Sequence, residues 1–135
     1  MAPPPAFEQQ ITFLYAEDPA PCRHFYGTVL GLPLVQDQGA AAIYATGGSR
    51  GFLGVVQACG PREGSDPRRQ GGVVVTFVTP EIAAWHDHLA AAGVPIEAPP
   101  RRSAALGITH FFIRDPAGYL LEVQRFDRPD WPRPA

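Results

Sequence analysis

One order of elements occurs twice along this chain, and that repeat limits the fold more than any other property of the sequence. Residues 11–16, ITFLYA, form a short apolar run that predicts a strand. Asp18 follows as a helix N-cap, and Pro19 suits the first helical position. Cys22, Phe25, Tyr26, Val29 and Leu30 recur at the spacing of one helix face, and Gly31 ends the run. LPLVQD, AAIYAT and GFLGVVQA then predict three strands, separated by the turns QGA and GGSRG. Further on, GVVVTFV (72–78) predicts a strand, and Thr79 and Pro80 open a helix. Ile82, Trp85 and Leu89 give that helix its apolar face, and Gly93 closes it. VPIEA, GITHFFIR and GYLLEVQRF predict three more strands. GLPL (31–34) matches GVPI (93–96), and GFLGVVQ (51–57) matches GYLLEVQ (118–124). Helices are therefore expected near 19–30 and 80–92.

The predicted fold class is α+β, with two βαβββ modules at 9–58 and 71–126 joined by a polar linker at 59–70. Each module has a helix on one sheet face only, so the other face must be covered or must line something. Two such modules facing one another would make a cupped, half-barrel mixed sheet. Small ligands bind in clefts of that kind. The proline-rich ends, 1–8 and 127–135, are expected to lack regular structure, with Trp131 docking on the body or on a second subunit.

Charge and composition exclude several classes. A net charge of −2 provides no electrostatic footprint for nucleic acid. No apolar run approaches the roughly 20 residues that cross a bilayer, and MAPPPAFEQQ lacks the marks of a signal peptide. Cys22 and Cys59 form no CxxC pair and read as free thiols of a cytoplasmic protein. GGSRG lacks the Lys-Ser/Thr of a phosphate loop.

FYGTVLGLPL after a capped strand and RDPAGYLLEVQ near the end resemble the vicinal oxygen chelate superfamily. That group includes glyoxalase I, bleomycin-resistance proteins, extradiol dioxygenases and fosfomycin-resistance enzymes. The resemblance spans about residues 9–126 and is far more specific for fold than for reaction. It implies a homodimer. It also implies one metal ligand on the first and one on the fourth strand of each module. Carried over position by position, these fall on Ile11, Val55, Val73 and Glu122. Three of the four are aliphatic and cannot coordinate a cation, and a one-residue slip to Thr12, Gly54, Val56 or Val74 is no better. No cofactor is therefore expected. The alternative, a divalent metal such as Zn, Ni, Fe or Mn, would need ligands from elsewhere.

Glu122 is a lone carboxylate in an apolar strand. DPAG fits a type I turn with Gly118 in the left-handed conformation and a G1 bulge. That register pairs Arg114 with Leu120, Phe112 with Glu122 and His110 with Gln124, so His110, Phe112, Glu122 and Gln124 share one face. A two-residue loop would instead send His110 to the other face. Glu122 and His110 are the catalytic candidates, as a general base or a ligand anchor. The competing reading is a remnant carboxylate satisfied by water, Arg or a Tyr hydroxyl.

Phe13, Tyr15, Tyr44, Phe52 (or Leu53), Phe112 and Gln124 are candidates to line a ligand, and Arg50 could meet an anion at the rim. Core packing competes for Phe13, Tyr15, Tyr44 and Phe52. Trp85 is expected in the core. His24, His86 and His88 are expected at the surface, and Arg101 and Arg102 in a solvated loop. The function predicted is the binding of a small, possibly aromatic molecule without metal, for resistance or sequestration. The alternatives are a glyoxalase- or dioxygenase-type enzyme, or an accessory subunit whose cup is filled by its own side chains.

Overall fold

A computed structural model describes residues 4–62, 64 and 66–132. The expectations for 1–3 and for 133–135 lie outside them. The chain divides into two compact units, 1–63 and 64–135, with the boundary inside the stretch 59–70.

The first unit holds β1 (Gln10–Ala16), α1 (Pro19–His24), β2 (Leu34–Asp37), β3 (Ala41–Gly47) and β4 (Gly51–Gln57). The sheet order is β1-β4-β3-β2, with β1 and β4 parallel and the other pairs antiparallel. Asp18 caps α1, its Oδ1 accepting from the Ala20 N–H at 3.3 Å, and Pro19 opens the helix. The helix widens to π geometry over Phe25–Val29, where Gly27 leaves room for the Tyr44 ring beside the backbone. Cys22, Phe25 and Tyr26 are buried on this helix, over a sheet face formed by Leu14, Ala16, Ala42, Tyr44, Leu53 and Val55. Burial of each leucine, valine or phenylalanine among them stabilises by roughly 1.5–3 kcal/mol.

The second unit holds α2 (Pro67–Gln70), β5 (Val75–Val78), α3 (Ile82–Ala91), β6 (Arg101–Ser103), β7 (Ile108–Arg114) and β8 (Leu120–Phe126). Its sheet order, β5-β8-β7-β6, repeats the first, again with one parallel pair. Phe111, Ile113, Leu121 and Val123 are buried on the face beneath α3. The Phe126 and Trp131 rings stack at 3.7 Å, so the tail does dock on the body.

Four local expectations are corrected. The stretch 59–70 is not linker throughout, because Asp66 and Pro67 start α2 with the same cap chemistry as Asp18 and Pro19. VPIEA gives only an isolated bridge, Ile96 to Ile113. Pro95 has no N–H for a ladder, and Pro99 and Pro100 delay regular pairing until β6. Arg101 and Arg102 therefore lie on a strand, not in a loop. Trp85 is only half-buried, its ring edge-on to His88 at 5.4 Å, and His86 packs edge-on against Phe111 at 5.4 Å. No helix among the described residues is long and apolar enough to cross a membrane.

Candidate functional site

The hairpin at 115–119 fixes the site. The Asp115 carbonyl accepts from the Gly118 N–H at 2.9 Å, and the Asp115 N–H donates to the Tyr119 carbonyl at 3.0 Å. Gly118 takes φ 89°, which a side chain would strain. The buried Asp115 carboxylate accepts from the N–H groups of Ala117 and Tyr119 at 2.9 Å each. The resulting register pairs Arg114 with Leu120, Phe112 with Glu122 and His110 with Gln124, the bulged alternative of the two read from sequence.

His110, Phe112, Glu122 and Gln124 thus share the face away from α3, and Thr76 joins them from β5, opposite Glu122. Glu122 is the centre of the group. Its Oε2 lies 2.5 Å from His110 Nδ1, and its Oε1 accepts from the Thr76 hydroxyl at 2.8 Å. Both carboxylate oxygens are therefore engaged, in a site where an unpaired charge would be costly. In the neutral tautomer whose Nδ1–H donates to Glu122, Nε2 is the acceptor.

Beside the dyad is a cavity of about 420 Å³, built wholly from the second unit. Arg68, Glu97, Arg101, Ser103, His110 and Phe112 are among its lining. Arg68 grips Glu97 through both Nη atoms at 2.7 Å and Asp66 through Nε and Nη2 at 3.0 Å. It also lies 4.5 Å over the Phe112 ring. The guanidinium holds the Asp66 carboxyl down at about 2, chiefly through the hydrogen bonds, and lowers Glu97 in the same way.

The first unit behaves differently. Phe13 and Tyr15 lie with Ile11 on its open face and are exposed, at 44%, 49% and 42%. Phe52 shares that face by pairing with Ile11. Tyr44 and the alternative Leu53 are corrected to core, at 4% and 1% exposure. They pair with each other on the helix face, the Tyr44 hydroxyl donating to the Arg23 carbonyl at 3.4 Å. Arg50 lies in the β3–β4 turn, where its carbonyl accepts from the Gln10 N–H, and its guanidinium makes no ion pair among the described residues.

The positions assigned to a metal do not fit one. Val55 is 1% exposed and points into the helix-side core, not to the face that Glu122 occupies. The sequence match was one residue out of phase. Gly51 begins β4, whereas Gly118 is a turn residue two positions before β8, so the aligned glycines set opposite parities. The open-face residues of β4 are Phe52, Gly54 and Val56, and none carries a donor. Gly54 could not simply be replaced by one, since a Cβ there would sit 2.4 Å from the Phe13 ring. Val73 precedes β5 and is 71% exposed. Glu122 is the single donor of the set, and its oxygens are taken by His110 and Thr76. Among the described residues no three His, Cys, Asp or Glu side chains gather as a cation site.

Arg68, Asp66, Glu97 and Thr76 were missed as site residues. Asp66-Pro67 carried a readable signal, the same cap-and-proline pair as Asp18-Pro19. Glu97 and Thr76 carried none, because their roles come from partners 29 and 46 residues away.

Solved structures share this fold. Lactoylglutathione lyase from Agrobacterium tumefaciens is 27% identical, with a TM-score of 0.70 and coverage of 96% of this chain and 100% of that one. A glyoxalase/bleomycin resistance protein/dioxygenase from Nocardioides is 17% identical, with a TM-score of 0.73 and coverage of 99% and 92%. TioX from Micromonospora sp. ML1 is 21% identical, with a TM-score of 0.70 and coverage of 87% and 98%. No protein of curated function matches the sequence significantly. The sequence profile of one superfamily matches residues 9–123, and by that match the chain belongs to the Glyoxalase/Bleomycin resistance protein/Dioxygenase superfamily.

Proposed function

We propose that this protein binds a small organic molecule without a metal, using the open face of its second sheet, as a resistance or sequestration protein would. The observation that carries the reading is the state of Glu122. The one acidic side chain at a family ligand position is bonded through both oxygens to protein groups, beside a cavity of ligand size. The exposed aromatic face of the first sheet supports a further element of the reading, a homodimer in which a second copy covers part of the apolar surface.

A second reading has its own observation. His110 is held through Nδ1 by a carboxylate, the arrangement that fixes an imidazole as a base at Nε2, and the lyase from Agrobacterium is 27% identical. Under it, His110 would take a proton from the ligand, and Glu122 would stabilise the imidazolium.

Two measurements test the proposal. Elemental analysis after dialysis without chelator is expected to find no stoichiometric transition metal. One zinc, nickel, iron or manganese per chain, lost in Glu122→Ala, would overturn the metal-free part. A panel of small molecules is expected to include some that raise the melting temperature, since binding stabilises by RT ln(1 + [L]/Kd). A panel with no such compound sinks the binding reading. Turnover of any of them that is abolished by His110→Ala would favour the second.

A further inference from the structure

The cavity of the second unit is built around a guanidinium with almost no edge left to offer. Arg68 makes four N–H bonds to Asp66 and Glu97, at 2.7–3.0 Å, out of the five a guanidinium possesses. One flat face lies over Phe112. Yet Arg68 lines the cavity and its side chain is 33% exposed. What it offers a ligand is its other face, and a guanidinium face stacks well on planar groups. Two carboxylates offset its charge, so Arg68 selects for shape more than for an anion.

Arg101 has the opposite character. It pairs with His110 across β6 and β7, which puts both on the same sheet face, and it lines the same cavity. It is exposed and makes no ion pair among the described residues. Ser103, two residues along β6, adds a hydroxyl to the lining. A flat, charge-compensated platform therefore adjoins an arginine that makes no hydrogen bond or ion pair among the described residues.

We infer that the molecule taken by this cavity is a planar aromatic acid, with its ring stacked on the Arg68–Phe112 layer and its carboxylate bound by Arg101. This rests on the small-molecule reading above and adds shape and charge to it. A flat group meets Arg68 without displacing either of its carboxylates. An anionic group meets Arg101, which makes no hydrogen bond or ion pair among the described residues and shares the His110 face, whereas Arg102, also in the lining, pairs with Thr109 on the other face.

The test is calorimetric titration of the full chain with 2-naphthoate, 2-naphthamide and acetate, each up to millimolar concentration, on the wild type and on Arg101→Gln. The His110 ring resonances locate the binding. The wild type should bind 2-naphthoate on the order of ten- to hundredfold more tightly than 2-naphthamide, the range for a hydrogen bond to a charged group. Acetate, which lacks the ring, should bind too weakly to measure. Arg101→Gln should abolish the preference for the acid, bringing 2-naphthoate down to the affinity of 2-naphthamide. Because Arg101 is exposed, the variant is expected to fold, and Arg68→Lys supplies a second check by weakening both aromatic probes. Equal affinity for acid and amide overturns the inference, as does a preference that survives Arg101→Gln or an absence of binding by both aromatics. The broader binding reading would survive any of these. It falls only if no compound of the melting-temperature panel stabilises the protein.

Discussion

The two modules share an order of elements and a sheet topology, yet their open faces are chemically opposite. On the first sheet, Ile11, Phe13, Tyr15 and Phe52 lie on that face, and the Phe13 ring packs over the bare backbone of Gly54. On the second, Thr76, His110, Glu122 and Gln124 share the matching surface with Phe112, and Arg68 and Arg101 lie beside them. The helix-side faces are alike, because both must bury aliphatic side chains under a helix. The difference shows that the repeat preserves what packing requires. The outward positions of each copy are free to become either an apolar surface or a polar site.

The sharpest way to break the comparison is to place an acid at the position that sequence matching equates with Glu122. Val55→Glu would put a carboxylate into the helix-side core at a 1% exposed position with no partner. It is expected to destabilise by roughly 3–5 kcal/mol. Urea unfolding measures this, and a loss below about 1 kcal/mol would mean that the two strands are in phase after all.

The dyad comes next. Glu122→Ala strips the partner from both His110 and Thr76 and should cost about 1–3 kcal/mol. Glu122→Gln is nearly isosteric and keeps an oxygen for Thr76, so its cost is expected to stay under about 1 kcal/mol while ligand binding falls. His110→Ala and Glu122→Ala should couple by about 0.5–3 kcal/mol in a double-mutant cycle. Additive losses would show that the short contact contributes nothing.

How much of this was legible follows from which interactions are local. The caps at Asp18 and Asp66, the DPAG bulge and the face shared by His110 and Glu122 depend on neighbours or on one hairpin, and all can be read from residue order. Parity across the repeat could not be read, because it depends on whether a glycine sits in a turn or in a strand. Tyr44 looks like a ligand-facing aromatic in sequence, but the pairing Tyr44–Leu53 sends it beneath the helix. Glu97 was invisible as a site residue because its partner Arg68 lies in a stretch that reads as linker.

A smaller effect sharpens the contrast from the first module. In Gly54→Ala the added methyl meets the Phe13 ring at 2.4 Å. Phe13 is 44% exposed and can swing outward, so the cost is expected to be about 1 kcal/mol, at the low end for overpacking. Phe13→Ala in the same chain should remove the penalty. A penalty that persists in the double variant would place the clash elsewhere.

The smallest expected effect is the pH dependence of the Arg68 cluster. Hydrogen bonds from Arg68 lower Asp66 to about 2 and lower Glu97 as well. A carboxylate depressed in the folded state stabilises fully above its unfolded value, about 4, and loses that contribution as pH falls through the folded one. The wild type should therefore lose stability between about pH 4 and pH 2 relative to Arg68→Gln. The variant keeps the Asp66 cap on the Arg68 N–H, so the cap cancels in the difference. Loss of the stacking on Phe112 is independent of pH and cancels in the slope. The side chains of the triad are 25–51% exposed, so salt should shrink the difference further. Urea unfolding of both proteins at pH 5, 4, 3 and 2 reads it directly. A gap between the two that stays constant across that range would mean that Arg68 serves the second module through its stacking on Phe112 and not through its ion pairs.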